Sequence, residues 1–119
     1  MKTGRLSDHW RYSARIPLDI YINKIINHTP YMVKVKNISS SGVYIHRLLE
    51  PATDKNKTKR VTLEMMLPGS DDLIWARGRV VRESIEHERG VVGEAIYFEK
   101  IRDKDRKLIE NYVESTINS

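Results

Sequence analysis

Apolar and polar residues alternate along most of this chain, in short runs separated by turn-forming residues. Ile16, Leu18, Ile20 and Ile22 alternate with Pro17, Asp19, Tyr21 and Asn23. A period of two places the first set on one face of a strand, which the pattern extends over 16–26. Pro17 has no N–H to give to a ladder, so it suits the start or edge of that strand. Asn27-His28-Thr29-Pro30 reads as a turn. Residues 31–36 make a second strand, with Tyr31, Val33 and Val35 on one face and Met32, Lys34 and Lys36 on the other. The short connection makes the pair a hairpin. In Asn37-Ile38-Ser39-Ser40-Ser41-Gly42 the Asn and Ser side chains bond nearby backbone amides, which predicts a turn. Gly42 there supplies either positive φ or a close backbone approach.

The pattern resumes over 43–46 as a third strand. A polar, lysine-rich connection covers 48–60. Val61, Leu63, Met65 and Leu67 define a fourth strand, and Pro68-Gly69-Ser70-Asp71-Asp72 another turn. The fifth strand, 74–83, directs Ala76, Gly78 and Val80 to one side and Trp75, Arg77, Arg79 and Val81 to the other. In the sixth, 91–98, Val92, Ile96 and Phe98 face inward and Glu94 interrupts them. The period then changes. Leu108, Ile109, Tyr112, Val113 and Ile117 recur at helical spacing over 103–118, with Asp103 as N-cap. The pattern predicts a mainly β fold: a six-stranded antiparallel β-barrel with a C-terminal α-helix covering one end. Residues 1–15 show no periodicity and are expected to form a flexible N-terminal arm, leaving 16–119 as the barrel domain.

Composition narrows the functional classes. A chain of 119 residues makes one domain. It can bury roughly two-thirds of the surface its unfolded form exposes, without disulfides or metal. There is no Cys, which excludes a disulfide scaffold and thiolate zinc sites. His9, His28, His46 and His87 stand apart from other ligand types, so no metal site is expected. No apolar leader or membrane-length run is visible, and the expected location is the cytoplasm. No enzyme is expected, because no glycine-rich phosphate loop precedes a helix and Asp71-Asp72 is a turn pair. The net charge of +5 favours anionic partners. Lys2, Arg5, Arg11 and Arg15 crowd the arm, Lys55, Lys57, Lys59 and Arg60 the long connection, and Arg77, Arg79 and Arg82 the fifth strand.

Two arginine pairs share the spacing R-x-x-x-R: Arg11 with Arg15, and Arg102 with Arg106. The second falls on the polar side of the predicted helix and reads as a solvated face. The first stands at the junction of arm and first strand. It is followed, between the second and third strands, by Asn37-x-Ser39-x-x-Gly42.

An R-x-x-x-R element followed by D/N-x-S-x-x-G, in this order on these elements, resembles the signature of the PilZ domain family. The resemblance covers nearly the whole chain and includes Gly78-Arg79-Val80 in the fifth strand and Ile96-Tyr97-Phe98 before the helix. It implies a receptor for cyclic di-GMP, a bacterial second messenger, with outputs such as motility, surface polysaccharide (biofilm) or transcription. Arg11 and Arg15 would present guanidinium forks to guanine O6 and N7 or to phosphate. Asn37 and Ser39 would bond the other base and the sugar-phosphate, and Gly42 would admit the backbone. The arm would close over the ligand and create a surface for a protein effector. Lower-ranked contacts are Trp10, which alternatively tethers the arm, and Trp75, which alternatively covers the sheet. Departures from the family pattern are Asn37 for the commoner Asp, Ala95 for a frequent Gly, where packing rather than binding is touched, and Trp10 where some members have another Arg. No cofactor or membrane partner is implied, and the chain is expected to be a monomer, with a dimer left open. The alternatives are a small barrel binding RNA or single-stranded DNA through Trp75, Tyr44 and Tyr97, and a PilZ-like interaction module without ligand.

Overall fold

A computed structural model describes residues 14–48, 59–86 and 91–119. Among the described residues six antiparallel strands, β1 (Ile16–Ile26), β2 (Thr29–Ser39), β3 (Gly42–Arg47), β4 (Arg60–Met65), β5 (Ile74–Glu86) and β6 (Val91–Ile101), precede one helix, α1 (Asp103–Ile117). They close into a barrel in the order β1-β2-β3-β6-β5-β4. The alternation of the sequence becomes the two sides of the wall. Ile16, Leu18, Ile22, Val33, Val35, Val43, Ile45, Val61, Leu63, Ile96 and Phe98 fill the interior. Ile109 and Val113 of α1 join the same core, and the helix packs against β1 and β2.

Two turns shrink for physical reasons, and β5 and β6 run on to Glu86 and Ile101. The first turn shrinks to Asn27 and His28, both at positive φ (49° and 69°), as a two-residue hairpin of the strand-twist-matching kind requires. Thr29 and Pro30 therefore belong to β2, with Pro30 opposite Ile25. The second turn contracts to Ser40 and Ser41, so Asn37 stands within β2 rather than in a loop. At the helix start, Arg102 rather than Asp103 is the N-cap, with no side-chain cap bond. The acidic residue that matters is Asp105, fully buried, which accepts bonds from Arg102 Nε (3.1 Å) and from the Trp75 backbone N–H (3.3 Å). It ties the first turn of α1 to the start of β5.

One polar cluster lies inside the barrel. Lys24 Nζ of β1 reaches Glu94 Oε1 of β6 at 2.6 Å, both side chains almost fully buried. These strands stand on opposite walls, so the pair spans the interior. Arg47 donates to Glu94 Oε2 through Nε (3.0 Å) and Nη2 (2.8 Å), and through Nη2 to Glu83 Oε2 (2.6 Å). Glu94 interrupts the inward face because a lysine and an arginine neutralise it there.

Candidate functional site

Strict alternation would turn Asn37 inward beside Val35, and Arg82 inward beside Val80. Extra residues prevent both. In β2, Val35 pairs with Ile45 and Asn37 with Tyr44, so Lys36 is a bulge opposite β3. Across β1 the register also slips between Pro17 and Ile20. In β5, Val80 pairs with Ile96 and Arg82 with Ala95, leaving Val81 as the extra residue. Bulges re-aim side chains by resetting the parity of a strand. Here they produce one outward-facing row across five strands: Pro17, Asn37, Tyr44, Ala95 and Arg82.

Arg15 immediately precedes β1, and its parity with Pro17 sends it to the same outer side. Its Nη1 donates to Asn37 Oδ1 at 2.9 Å. The second arginine of the R-x-x-x-R spacing and the first residue of the turn motif therefore touch. Burial, and after it the neighbouring charge of Arg82, lower the Arg15 guanidinium below its ordinary value.

The rest of the turn motif builds the corner. Ser39 is fully buried; its Oγ accepts the Ser41 N–H (3.1 Å) and lies 2.9 Å from Ser41 Oγ. Its hydroxyl is directed at the turn, not outward, so it shapes the site from behind. Gly42 answers the question its position posed. Its φ is not positive; a Cβ there would overlap the carbonyl oxygen of Ile96, so glycine lets β3 lie close against β6. Tyr44 crosses the next strand. Its hydroxyl lies 2.7 Å from Ser84 Oγ, over Gly93, where a Cβ would overlap it, and its ring meets that of His46 edge-on at 5.7 Å. Ala95, on the face opposite Val92, Ile96 and Phe98, lies on the outer row between Tyr44 and Arg82.

This wall can be set beside known proteins. The family model for the PilZ domain matches residues 8–115. The chain belongs to the PilZ domain family. No curated protein sequence matches it significantly. Among solved structures it is similar to the Bacillus subtilis inhibitor of motility, MotI/DgrA, with a TM-score of 0.73 and 15% identity over 88% of this chain and 50% of that one. It is also similar to PlzA of Borreliella burgdorferi, solved in complex with c-di-GMP, with a TM-score of 0.60 and 17% identity over 94% of this chain and 44% of that one. At these identities the likeness is one of fold. The chain spans about half the length of the structures it matches.

Of the residues expected at the PilZ site, Arg15 and Asn37 are in contact, and Ser39 and Gly42 hold the corner beside them. Arg11 and Trp10 lie outside the described residues. Trp75 is not brought to this row. It stands opposite Glu64 of β4, seven positions before Arg82, or about 23 Å of extended strand. Tyr97, exposed and opposite Gly42, shares the outer face with Tyr44. Among the described residues no group of His, Cys, Asp or Glu could hold a metal ion, and no helix is long and apolar enough to cross a membrane.

Three residues are not evident from the sequence pattern. Arg106 does not belong to a purely solvated face: its Nη1 donates to the Ser40 carbonyl oxygen at 3.0 Å, fastening α1 to the turn of the PilZ motif. The signal is its spacing, three before Ile109 and seven before Val113, which places it beside the inward stripe. Tyr44 stands out in the sequence only as a stacking group for nucleic acid. Arg82 is hidden by a bulge that parity alone does not reveal.

Proposed function

We propose that this PilZ domain is a cyclic di-GMP receptor that works by binding, without chemistry of its own, and passes the signal to a protein effector in the cytoplasm. The observation that carries the reading is the 2.9 Å bond between Arg15 and Asn37, which joins the two motifs into one outward-facing site. A cyclic dinucleotide offers paired acceptors on each guanine and two phosphates. An arginine fork suits either group, whereas a lysine point charge has no such bidentate geometry. Asn37 uses its carbonyl oxygen on Arg15 and keeps its amide N–H groups for an acceptor. Arg11, four residues before Arg15, supplies the second fork in this reading. The arm over 1–15 then orders on the ligand, and the ordered arm is the surface an effector reads. That PlzA was solved with c-di-GMP and that MotI/DgrA is an inhibitor of motility support a ligand and an output of this kind.

Calorimetric titration of cyclic di-GMP into wild type and Arg15→Ala tests it. Saturable binding at micromolar ligand, lost or severely weakened in the variant, is expected. Absence of binding by wild type overturns the reading. Hydrogen exchange over residues 1–15 tests the arm separately: protection unchanged by ligand removes the closure step and leaves binding standing.

A further inference from the structure

Arg82 lies at the far end of the row that begins beside Arg15. Three strand spacings separate it from Asn37, about 14 Å at ~4.8 Å each. Between them the floor is low. Ala95 is small, and the Tyr44 side chain leans over Gly93 toward Ser84. The bulge at Val81 is what puts Arg82 outside, and Arg82 is exposed there. Its neighbour Glu83 does not compensate it, being bonded to Arg47. Among the described residues no carboxylate pairs with Arg82.

The arrangement is electrostatically unfavourable as it stands. The Arg82 charge presses on Arg15, which is already partly desolvated. Two exposed like charges facing a small-residue floor, with no carboxylate on Arg82, favour an anion between them. A strand that bulges to aim a second cation at the first shows the same design from the backbone side.

We propose that Arg82 is a ligand-contacting residue of this site, closing on one anionic group of the cyclic dinucleotide from the β5 side while Arg15 holds it from the β1 side. The inference rests on the cyclic di-GMP reading and adds a residue, a strand and a direction of approach to it. Arg82 holds its share of the ligand as a fork, so Lys restores charge but not full affinity. Because both arginines share one group, their contributions are coupled rather than independent.

The test is titration of cyclic di-GMP into wild type, Arg82→Ala, Arg82→Lys, Arg82→Glu, and Arg77→Ala as a control. Arg77 is an exposed arginine of the same strand, opposite Thr62 and away from the row. Circular dichroism melts of the free proteins establish that each variant folds. Arg82→Ala is expected to weaken binding about tenfold, the loss of one charged hydrogen bond. Arg82→Glu should weaken it further, Arg82→Lys less, and Arg77→Ala not at all. Salt should weaken wild-type binding more steeply than Arg82→Ala binding. In the Arg15→Ala/Arg82→Ala double variant the loss should fall short of the product of the single losses. If wild type binds and Arg82→Ala matches it in affinity and salt dependence, the inference is overturned while the cyclic di-GMP reading stands. If Arg77→Ala weakens binding as much as Arg82→Ala, general surface charge is responsible and the inference is again overturned. If wild type does not bind, both fall together.

Discussion

The wall formed by β5 and β6 carries charge on both of its faces, and the two faces treat it in opposite ways. Inside, Glu94 meets Lys24 from across the barrel and Arg47 beside it, and Arg47 also reaches the exposed Glu83. Outside, one residue along each strand, Ala95 and Arg82 face the row that leads to Asn37 and Arg15. Lys24 and Glu94 are buried and matched by the protein itself. Outside, Arg79 and Arg60 are paired with Glu99, whereas Arg15 and Arg82 have no carboxylate partner among the described residues and Arg82 lies near enough to act on Arg15. Desolvated charge must be neutralised within the fold, whereas exposed charge can be left for a ligand to neutralise. The contrast predicts that inner substitutions change stability and outer ones change binding.

The largest effect should come from the inner face. Glu94→Leu leaves Lys24 and Arg47 without their shared carboxylate and should destabilise the fold by about 3–5 kcal/mol, measured by urea denaturation. Lys24→Met added to Glu94→Leu should recover a large part of that loss. A single-variant cost near zero would break the contrast. Arg15→Ala should do the reverse: stability within about 0.5 kcal/mol of wild type, as for an ordinary surface change, with affinity for cyclic di-GMP down about tenfold or more. Arg106→Ala removes the bond that holds Ser40. It should cost about 1 kcal/mol and speed amide exchange in the turn. Equal exchange in both proteins would show that the helix does not secure the site.

The smallest effect concerns Asp19 at the β1 irregularity. The bond from Lys34, with Lys36 behind it, holds its carboxyl below the ordinary carboxylate range. A lowered folded-state value means that Asp19 stabilises the protein above the unfolded carboxylate pKa, near ~3.9. That contribution disappears as pH falls through the lowered value. Asp19→Asn should therefore melt slightly below wild type at neutral pH and converge with it in acid. A difference that persists unchanged into acid would assign the effect to packing.

Much of this was legible in the sequence, for identifiable reasons. Period-two alternation is local, so all six strands and most of their inward sets could be read from neighbours alone, but Ile38, expected in a turn, is a core residue of β2. The candidate site was legible through motif order, and Arg15 and Asn37, one from each motif, are in contact. What alternation could not show is the single extra residue. Lys36 and Val81 continue plausible strand patterns, yet each reverses the parity of the residues after it. Arg82 was read only as one of three arginines of the fifth strand, and its outward aim was hidden for that reason, as was that of Asn37 from within a strand. Lys24 fell on the inward parity of β1, but its partner lies 70 residues away and nothing local names it. Arg106 failed differently: its spacing agreed with the core stripe, and its charge argued for solvent.

That separation of 70 residues gives the Lys24–Glu94 pair a place in time as well as in space. The β1–β2 hairpin closes through two residues and can form early, whereas the pair requires the first and last strands of the barrel to be in position together. Closing so long a loop is costly early in folding, and interactions absent from the transition state act on the unfolding rate, so Glu94→Leu is expected to speed unfolding more than it slows folding, as stopped-flow kinetics would show. On that expectation the strut across the barrel lengthens the lifetime of the assembled fold rather than hastening its assembly.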